Sequence, residues 1–299
     1  MIITNKHGLP QALVDAVASR DYTPKPGHYT VTTLLKGIRE IFLTRRHYHE
    51  IEVDVSDMIW SIFGTAVHNI FAGKENPDYF KEERLHLPVG DYVLSGQFDE
   101  YHIEGMELND FKVTSVWKVK MGDFDDWLKQ QLMYAYLLMR HSIPTTNGKV
   151  TAMLRDWRYG EHLRMKNEGY PARQVYVKKF ALKEQDIHDI EGFIEAKFAE
   201  IDYYKDTPDN DLPICTPEER WYHGEKYAVM GNKRKSAFRL LDNHDDAEAW
   251  IEENGKGDYI QRRPGTSIKC ERYCDAKKFC SYYLTEVAGP EDLEEAIPF

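Results

Sequence analysis

The chain has 299 residues, 42% of them hydrophobic and 30% charged, with 39 Lys and Arg against 50 Asp and Glu for a net charge of −11. This excludes collagen-like, low-complexity and wholly disordered chains, and allows one large domain or a main domain with an appendage. An acidic balance also excludes a general nucleic-acid coat protein, which needs a basic surface, but not an enzyme with a local basic groove. The longest apolar runs, such as 132–139, fall far short of the roughly 20 residues a bilayer span requires. The start, Met1 to Lys6, has no basic stretch followed by an apolar one, so no secretory signal is expected and the chain reads as a soluble cytoplasmic protein.

The first fifty residues are mixed, with a basic cluster at Arg45, Arg46 and His47. A helix is expected from Ser56 or Asp57, either of which can cap it, with Met58, Ile59, Ile62, Phe63, Ala66, Val67 and Ile70 on one buried stripe. Gly64 and His68 lie one turn apart on a face shared with Ser61, away from that stripe; a plain surface histidine is the alternative to a ligand. Residues 92–103 and 106–113 read as two strands around Glu104-Gly105, a two-residue turn in which Gly supplies a positive φ. Asp125 or Asp126 caps a second helix over 127–140, which carries Gln130 and Tyr134 one turn apart. Strands near 150–157 and 174–180 follow, then a long amphipathic helix over 183–204. Pro208, Pro213 and Pro217 end that helix, and a domain boundary is expected near 207.

The hairpin is the most informative feature. If Glu104-Gly105 is the turn, Ile103 pairs with Met106, and Asp99 falls opposite Asp110. Cross-strand neighbours have Cβ atoms about 4.5–5.5 Å apart, and like charges there repel. Alternation places Asp110, Lys112 and Asp99 on one face. A divalent cation between the carboxylates would remove the repulsion; a solvated hairpin face carrying unrelated charges is the alternative.

In chain order there is a helix with Gly64-x-x-x-His68, a strand with Asp99, a strand with Asp110-x-Lys112 and a helix with Gln130-x-x-x-Tyr134. Over roughly residues 28–160 this order resembles the PD-(D/E)XK nuclease superfamily, in the phage-type part of its RecB-like exonuclease branch. The resemblance implies an α/β chain with a restriction-endonuclease-like core, a central mixed β-sheet flanked by helices. It implies a metal-dependent DNA exonuclease that hydrolyses phosphodiester bonds at DNA ends in recombination, repair or degradation. His68, Asp99, Asp110 and the backbone carbonyl of Phe111 would then hold Mg²⁺ or Mn²⁺. Lys112 would orient the attacking water and stabilise charge on phosphorus, and Gln130 and Tyr134 would support the site and contact DNA. Phe98 stands where the superfamily name has proline, and Asn69 follows the histidine where many relatives carry an acid. An endonuclease with the same site is one alternative; an idle nuclease fold that binds DNA or a partner is another. No glycine-rich P-loop occurs, so no nucleotide cofactor is expected, and no nucleophile elbow supports a Ser or Cys nucleophile.

All four cysteines fall late: Cys270-x3-Cys274-x5-Cys280, with Cys215 as a fourth thiolate. Four thiolates suit zinc or an iron–sulfur cluster equally on ligand count, and buried free thiols are the alternative. RecB-like nucleases of the AddB type and those of CRISPR adaptation carry a four-cysteine [4Fe–4S] cluster. The resemblance implies one here, with structural zinc the alternative, although their first cysteine precedes the nuclease motifs and Cys215 follows them. Arg262, Arg263 and Lys269 beside the cysteines are candidate phosphate contacts, or a solvated face. The expected organisation is a nuclease core over 1–207, a cysteine-bearing metal-cluster module over 208–285 and an acidic tail over 286–299. The tail's end, Glu294-Glu295-Ala296-Ile297-Pro298-Phe299, resembles the acidic tip of bacterial single-stranded-DNA-binding proteins. It implies docking to a recombination or replication protein, in the bacterial cytoplasm or, for a phage protein, that of the infected host.

Overall fold

A computed structural model describes residues 1–19, 23–73 and 76–289; residues 290–299, with most of the expected docking tail, lie outside the described residues. The chain forms two compact units, residues 1–36 with 48–206, and residues 37–47 with 207 onward. Among the described residues no helix is long and apolar enough to cross a membrane.

The first unit is mixed α/β. In chain order it contains β1 (His28–Thr30), α1 (Ile59–Ala72), β2 (Tyr79–Lys81), β3 (Arg84–Val89), β4 (Tyr92–Gln97), β5 (Glu100–His102), β6 (Glu107–Thr114), α2 (Asp125–Arg140), β7 (Asn147–Leu154), β8 (Val175–Ala181) and α3 (Glu184–Tyr204). One five-stranded sheet runs β8-β7-β6-β5-β2 and a three-stranded sheet runs β1-β4-β3. The β6–β7 and β1–β4 pairs are parallel and the others antiparallel. Pro88 sits on β3, an edge strand, where a missing N–H costs no ladder bond.

The α2 helix is the central prop. Trp127, Leu132, Met133, Tyr134, Ala135, Leu137 and Leu138 are buried along it. Trp127 packs with Val116, Val119, Phe124, Val150, Ala152 and Leu154, so alternate residues of β7 point at this core. Asp125 and Asp126 lie inside the first turn and do not cap it; the N-cap is Phe124, with no side-chain cap bond. A lost cap costs about 1 kcal/mol, less than the roughly 1.5–3 kcal/mol from burying a single Leu or Met, so burial decides.

The strand expected over 92–103 is two strands in two sheets. β4 ends at Gln97 and β5 begins at Glu100, and Phe98, 2% exposed, fills the corner between them. β4 passes so close to α2 that a Cβ on Gly96 would lie 2.7 Å from Leu137 Cδ1 and 2.8 Å from the Tyr134 ring. The turn after β5 does occupy 103–106, closed by the Met106 N–H donating to the Ile103 carbonyl at 3.2 Å. Its positive φ is at Met106 (+44°), not at Gly105. Gly105 is needed instead for close approach, since its Cβ would lie 2.5 Å from His102 Nδ1.

The α1 helix also departs from its expected stripe. Asp54, rather than Ser56 or Asp57, caps the 3-10 turn Val55–Met58 that leads into it, accepting from the Ser56 N–H at 3.0 Å. No residue of α1 is buried, and Phe63 and Ile70 are 54% and 71% exposed. The face carrying His68 and Phe71 is the one turned to the sheet, where Phe71 meets Phe111 of β6 with ring centroids 4.4 Å apart.

In the second unit, the helix Ile38–Arg46 packs with the segment after residue 207. Buried Arg39 donates to the carbonyls of Pro213, Asn210 and Leu212 and to Ser281 Oγ. Glu40 pairs with Lys269 at 2.6 Å, and Arg46 and His47 both engage Asp209. The basic cluster of the sequence is thus largely tied up within the unit. A small sheet follows: β9 (Lys226–Met230) in the centre, β10 (Arg239–Leu241) and β11 (Tyr259–Arg263) on either side, with α4 (His244–Asn254) against it.

Candidate metal centre

Three ligand-type side chains meet beside the corner between β4 and β5. His68 Nδ1 lies 3.1 Å from Asp99 Oδ1 and 3.6 Å from Glu82 Oε1. The donor atoms of all three lie within 4.8 Å of one another, a spacing that could hold one metal ion. One turn before His68, a Cβ on Gly64 would meet nothing within 4 Å, so there is room beside α1 at that point.

Backbone register explains the meeting. The β6 ladder pairs Glu100 with Asn109, and continuing it puts Asp99 opposite Asp110 as expected, although the regular pairing stops one residue short. On the other side β2 pairs with β5 and β3 with β4 in one common register. It continues across the break through the Glu82 N–H to the Asp99 carbonyl at 3.0 Å, which puts Glu82 opposite Asp99. Glu82 has a left-handed φ of +51°, a conformation that costs a non-glycine residue about 1–2 kcal/mol. The sequence reading missed Glu82. The signal was present: Gly90-Asp91 is a second two-residue turn, and the same constant pairing rule counts from it to Glu82 and Asp99.

A second cluster adjoins the first. Phe111 donates its N–H to Asp99 Oδ2 at 2.6 Å. The Lys112 ammonium lies 2.9 Å from Asp110 Oδ2 and donates to Gln130 Oε1 at 2.8 Å. Gln130 in turn donates to Asp110 Oδ1 at 3.3 Å and to the Tyr134 hydroxyl at 3.2 Å. Asp110 Oδ2 is buried with no well-directed hydrogen bond, so the lysine neutralises it by proximity. The resemblance placed His68, Asp99 and Asp110 together as ligands. The close triad is His68, Glu82 and Asp99, and Asp110 faces Lys112 and Gln130.

These contacts set the protonation states. The hydrogen bond to Asp99, then that to Glu82, raises the His68 pKa to about 10. Burial pushes the Asp110 carboxyl up, with the Lys112 charge opposing it. Burial likewise holds the Tyr134 phenol well above its ordinary value, so it remains a neutral hydroxyl.

In the second unit the four cysteines line one cavity with Arg39, Glu40, Glu219, Arg220, Lys269 and Tyr282. Burial pushes the Cys215 thiol to about 11 and the Cys274 thiol to about 12, and Cys270 also upward. Among the described residues no three cysteine sulfurs come within 4.8 Å of one another. The basic residues singled out beside them are engaged: Lys269 with Glu40, Arg262 with Glu225 at 2.6 Å, and Arg263 toward the Met230 sulfur.

No protein-family profile matches the sequence, and no curated protein matches it. Among solved structures, the chain is similar to the protein designated SSO0001, at 14% identity and a TM-score of 0.44, over 63% of this chain and 85% of that one. It is also similar to an alkaline exonuclease (LHK-Exo) from Laribacter hongkongensis, at 13% identity and a TM-score of 0.36, over 64% of this chain and 96% of that one. A third, a phage related exonuclease from Haemophilus somnus 129PT, matches at 12% identity and a TM-score of 0.27, over 54% of this chain and 70% of that one.

Proposed function

We propose that the first unit is a divalent-metal-dependent nuclease that hydrolyses phosphodiester bonds at DNA ends. The observation that carries this reading is the joining of a His–Glu–Asp triad to a Lys–Asp–Gln–Tyr cluster through the Phe111 N–H. His68, Glu82 and Asp99 would hold Mg²⁺ or Mn²⁺, with Asp110 and the carbonyl of Phe111 as further donors. The donor set fits: carboxylates suit Mg²⁺, an imidazole suits Mn²⁺, and the crowded carboxylates gain from a cation between them. A bound divalent ion supplies charge neutralisation at the phosphate and lowers the pKa of water.

The chain's own residues do the rest. Lys112 is held between Asp110 and Gln130 and presents its remaining N–H groups to the attacking water and to charge growing on phosphorus. Gln130 bonds to both Asp110 and Tyr134, so its amide fixes the carboxylate and the lysine relative to each other. Buried Tyr134 cannot ionise near neutral pH and serves as the hydroxyl that orients that amide.

The cysteine cavity is read as a cluster site, with Cys215, Cys270, Cys274 and Cys280 as ligands to a [4Fe–4S] centre. The support for a metal cluster there is that all four thiols line one cavity; structural zinc, equal on ligand count, is the alternative. A colourless protein with stoichiometric zinc after anaerobic purification would reverse that choice.

The activity test uses 5′- and 3′-labelled single- and double-stranded DNA and a closed circle, with Mg²⁺, Mn²⁺ or EDTA. Metal-dependent shortening from an end, lost in Asp110→Ala and Lys112→Ala, supports the exonuclease. Cutting of the circle makes it an endonuclease with the same site. No cleavage under any condition leaves a binding protein.

A further inference from the structure

We infer that the basic loop between β9 and β10 is a DNA-contact surface of the second unit, which grips the sugar–phosphate backbone of DNA, the substrate read for the first unit. The inference rests on that reading for its ligand but not for its evidence.

Lys233, Arg234 and Lys235 lie in the loop and Arg239 begins the strand after it; all four are exposed. The loop is built rather than slack. Asn232 donates its N–H to Asp258 Oδ2 at 2.6 Å, Arg234 donates its N–H to the Gly231 carbonyl at 2.9 Å, and Phe238 donates its N–H to the Val229 carbonyl at 2.8 Å. The Arg234 guanidinium stacks 4.2 Å above the Phe238 ring, and a Cβ on Gly231 would lie 2.9 Å from that ring. Among the described residues, Lys233, Lys235 and Arg239 have no acidic partner. The acids nearest in the sheet are already used, Glu225 by Arg262, Asp242 by Lys226 and Asp258 by the loop backbone.

The remaining acids of this small module are sorted onto one element. Asp245, Asp246, Glu248, Glu252 and Glu253 all lie on α4 and are exposed. A Cβ on Gly257 would lie 2.3 Å from Val229 Cγ1 and 3.2 Å from Ile251, so Val229 points at α4. Ladder partners share a face, so Arg239, paired with Val229, lies on the α4 side, whereas Leu240 and Tyr259, paired with Ala228 and Met230, point the other way. They are 49% and 45% exposed. A chain of net charge −11 thus sets three consecutive cations in one built loop, with a fourth, Arg239, on the strand that follows it, and at least three of the four are unpaired. Closely spaced backbone phosphates satisfy such a run of unpaired cations, and DNA is the polyanion that the proposed activity already requires.

The test is binding of a fluorescent single-stranded oligonucleotide and its duplex in EDTA, where cleavage does not enter, from 50 to 300 mM salt. Each phosphate contact contributes about 0.7–0.9 to the slope of log affinity against log salt. Lys233→Ala/Lys235→Ala/Arg239→Ala should therefore flatten the slope by about 2–3 and weaken binding at least tenfold at low salt. The charge-keeping set Lys233→Arg/Lys235→Arg/Arg239→Lys should retain the slope, and melting curves confirm that both variants fold. An unchanged slope in the alanine variant overturns the inference. So does a wild type that does not bind DNA, or competition by poly-glutamate equal to that of DNA, which would assign the loop to an acidic protein. A protein that binds through this loop but cuts nothing would leave this inference standing and remove the nuclease reading alone.

Discussion

Glu82 and Asp99 face each other across the break in one antiparallel register, and their carboxylates approach the same nitrogen of His68, at 3.6 and 3.1 Å. The backbone at Glu82 is left-handed, so holding its carboxylate there has a conformational cost. Glu82→Gln should lower affinity for Mn²⁺ at least about tenfold while leaving the fold intact. Glu82→Gly should lose the same affinity, yet relax the left-handed strain by about 1 kcal/mol, partly offset by glycine's greater freedom when unfolded. Calorimetric titration and metal-free thermal unfolding read the two effects separately. Unaltered Mn²⁺ affinity in both variants would remove Glu82 from the site.

His68 makes that affinity depend on pH. Its pKa of about 10 arises from hydrogen bonds to Asp99 and Glu82, so at neutral pH the metal-free ring is protonated and must shed a proton to become a ligand. Affinity for Mn²⁺ should rise about tenfold per pH unit between pH 7 and 9, with one proton released. Titrations in buffers of different ionisation enthalpy measure that proton directly. For folding the sign is opposite. The pairing adds stability fully present below the unfolded pKa near 6.5, and that stability is lost as pH rises through about 10. His68→Gln should abolish both dependences, and a proton count near zero in the wild type would show the ring to be neutral.

The hairpin register and the helical spacings were legible in the sequence because they depend on local rules. A two-residue turn fixes which residues pair, and helical spacing fixes which share a face, so Asp99 against Asp110 and Gln130 beside Tyr134 follow directly. Periodicity could not say that α1 turns its His68 face to the sheet and leaves Phe63 and Ile70 exposed. That choice is made by long-range contacts between Phe71 and Phe111 and between His68 and Asp99. Nor could it show that the helix Ile38–Arg46 belongs with residues far along the chain. The reason is the buried Arg39 and Glu40, which find their partners beyond residue 207.

Gly96 joins fold and site at one atom. Any side chain there must push the Tyr134 ring or Leu137 aside, since its Cβ would lie 2.8 and 2.7 Å from them. Gly96→Ala should destabilise the protein by about 1–3 kcal/mol, the usual cost of overpacking. It should also disturb the Tyr134–Gln130 bond that orients Asp110 and Lys112. Turnover should then fall more than Mn²⁺ affinity, because the displaced group belongs to the lysine cluster and not to the His–Glu–Asp triad. Equal loss of both, or a fully stable variant, would contradict this coupling.

Asp54 anchors the approach to α1 and should control acid stability. Its carboxylate accepts from the Lys6 N–H at 2.7 Å, the Ser56 N–H at 3.0 Å and Thr4 Oγ1 at 3.0 Å. The two backbone N–H groups are the main reason its carboxyl is held well below the ordinary carboxylate range. A depressed folded pKa gives stability that is present above the unfolded value near 3.9 and is lost as pH falls through the folded value. Asp54→Asn keeps an acceptor oxygen but removes the charge. It should lower the melting temperature at pH 7 and narrow its gap to the wild type as the pH is taken down toward 2. Because the capped turn sets where α1 begins, the same variant should also weaken Mn²⁺ binding modestly through His68. A melting temperature that differs from wild type by the same amount at pH 7 and pH 2 would show that the charge of Asp54 plays no part.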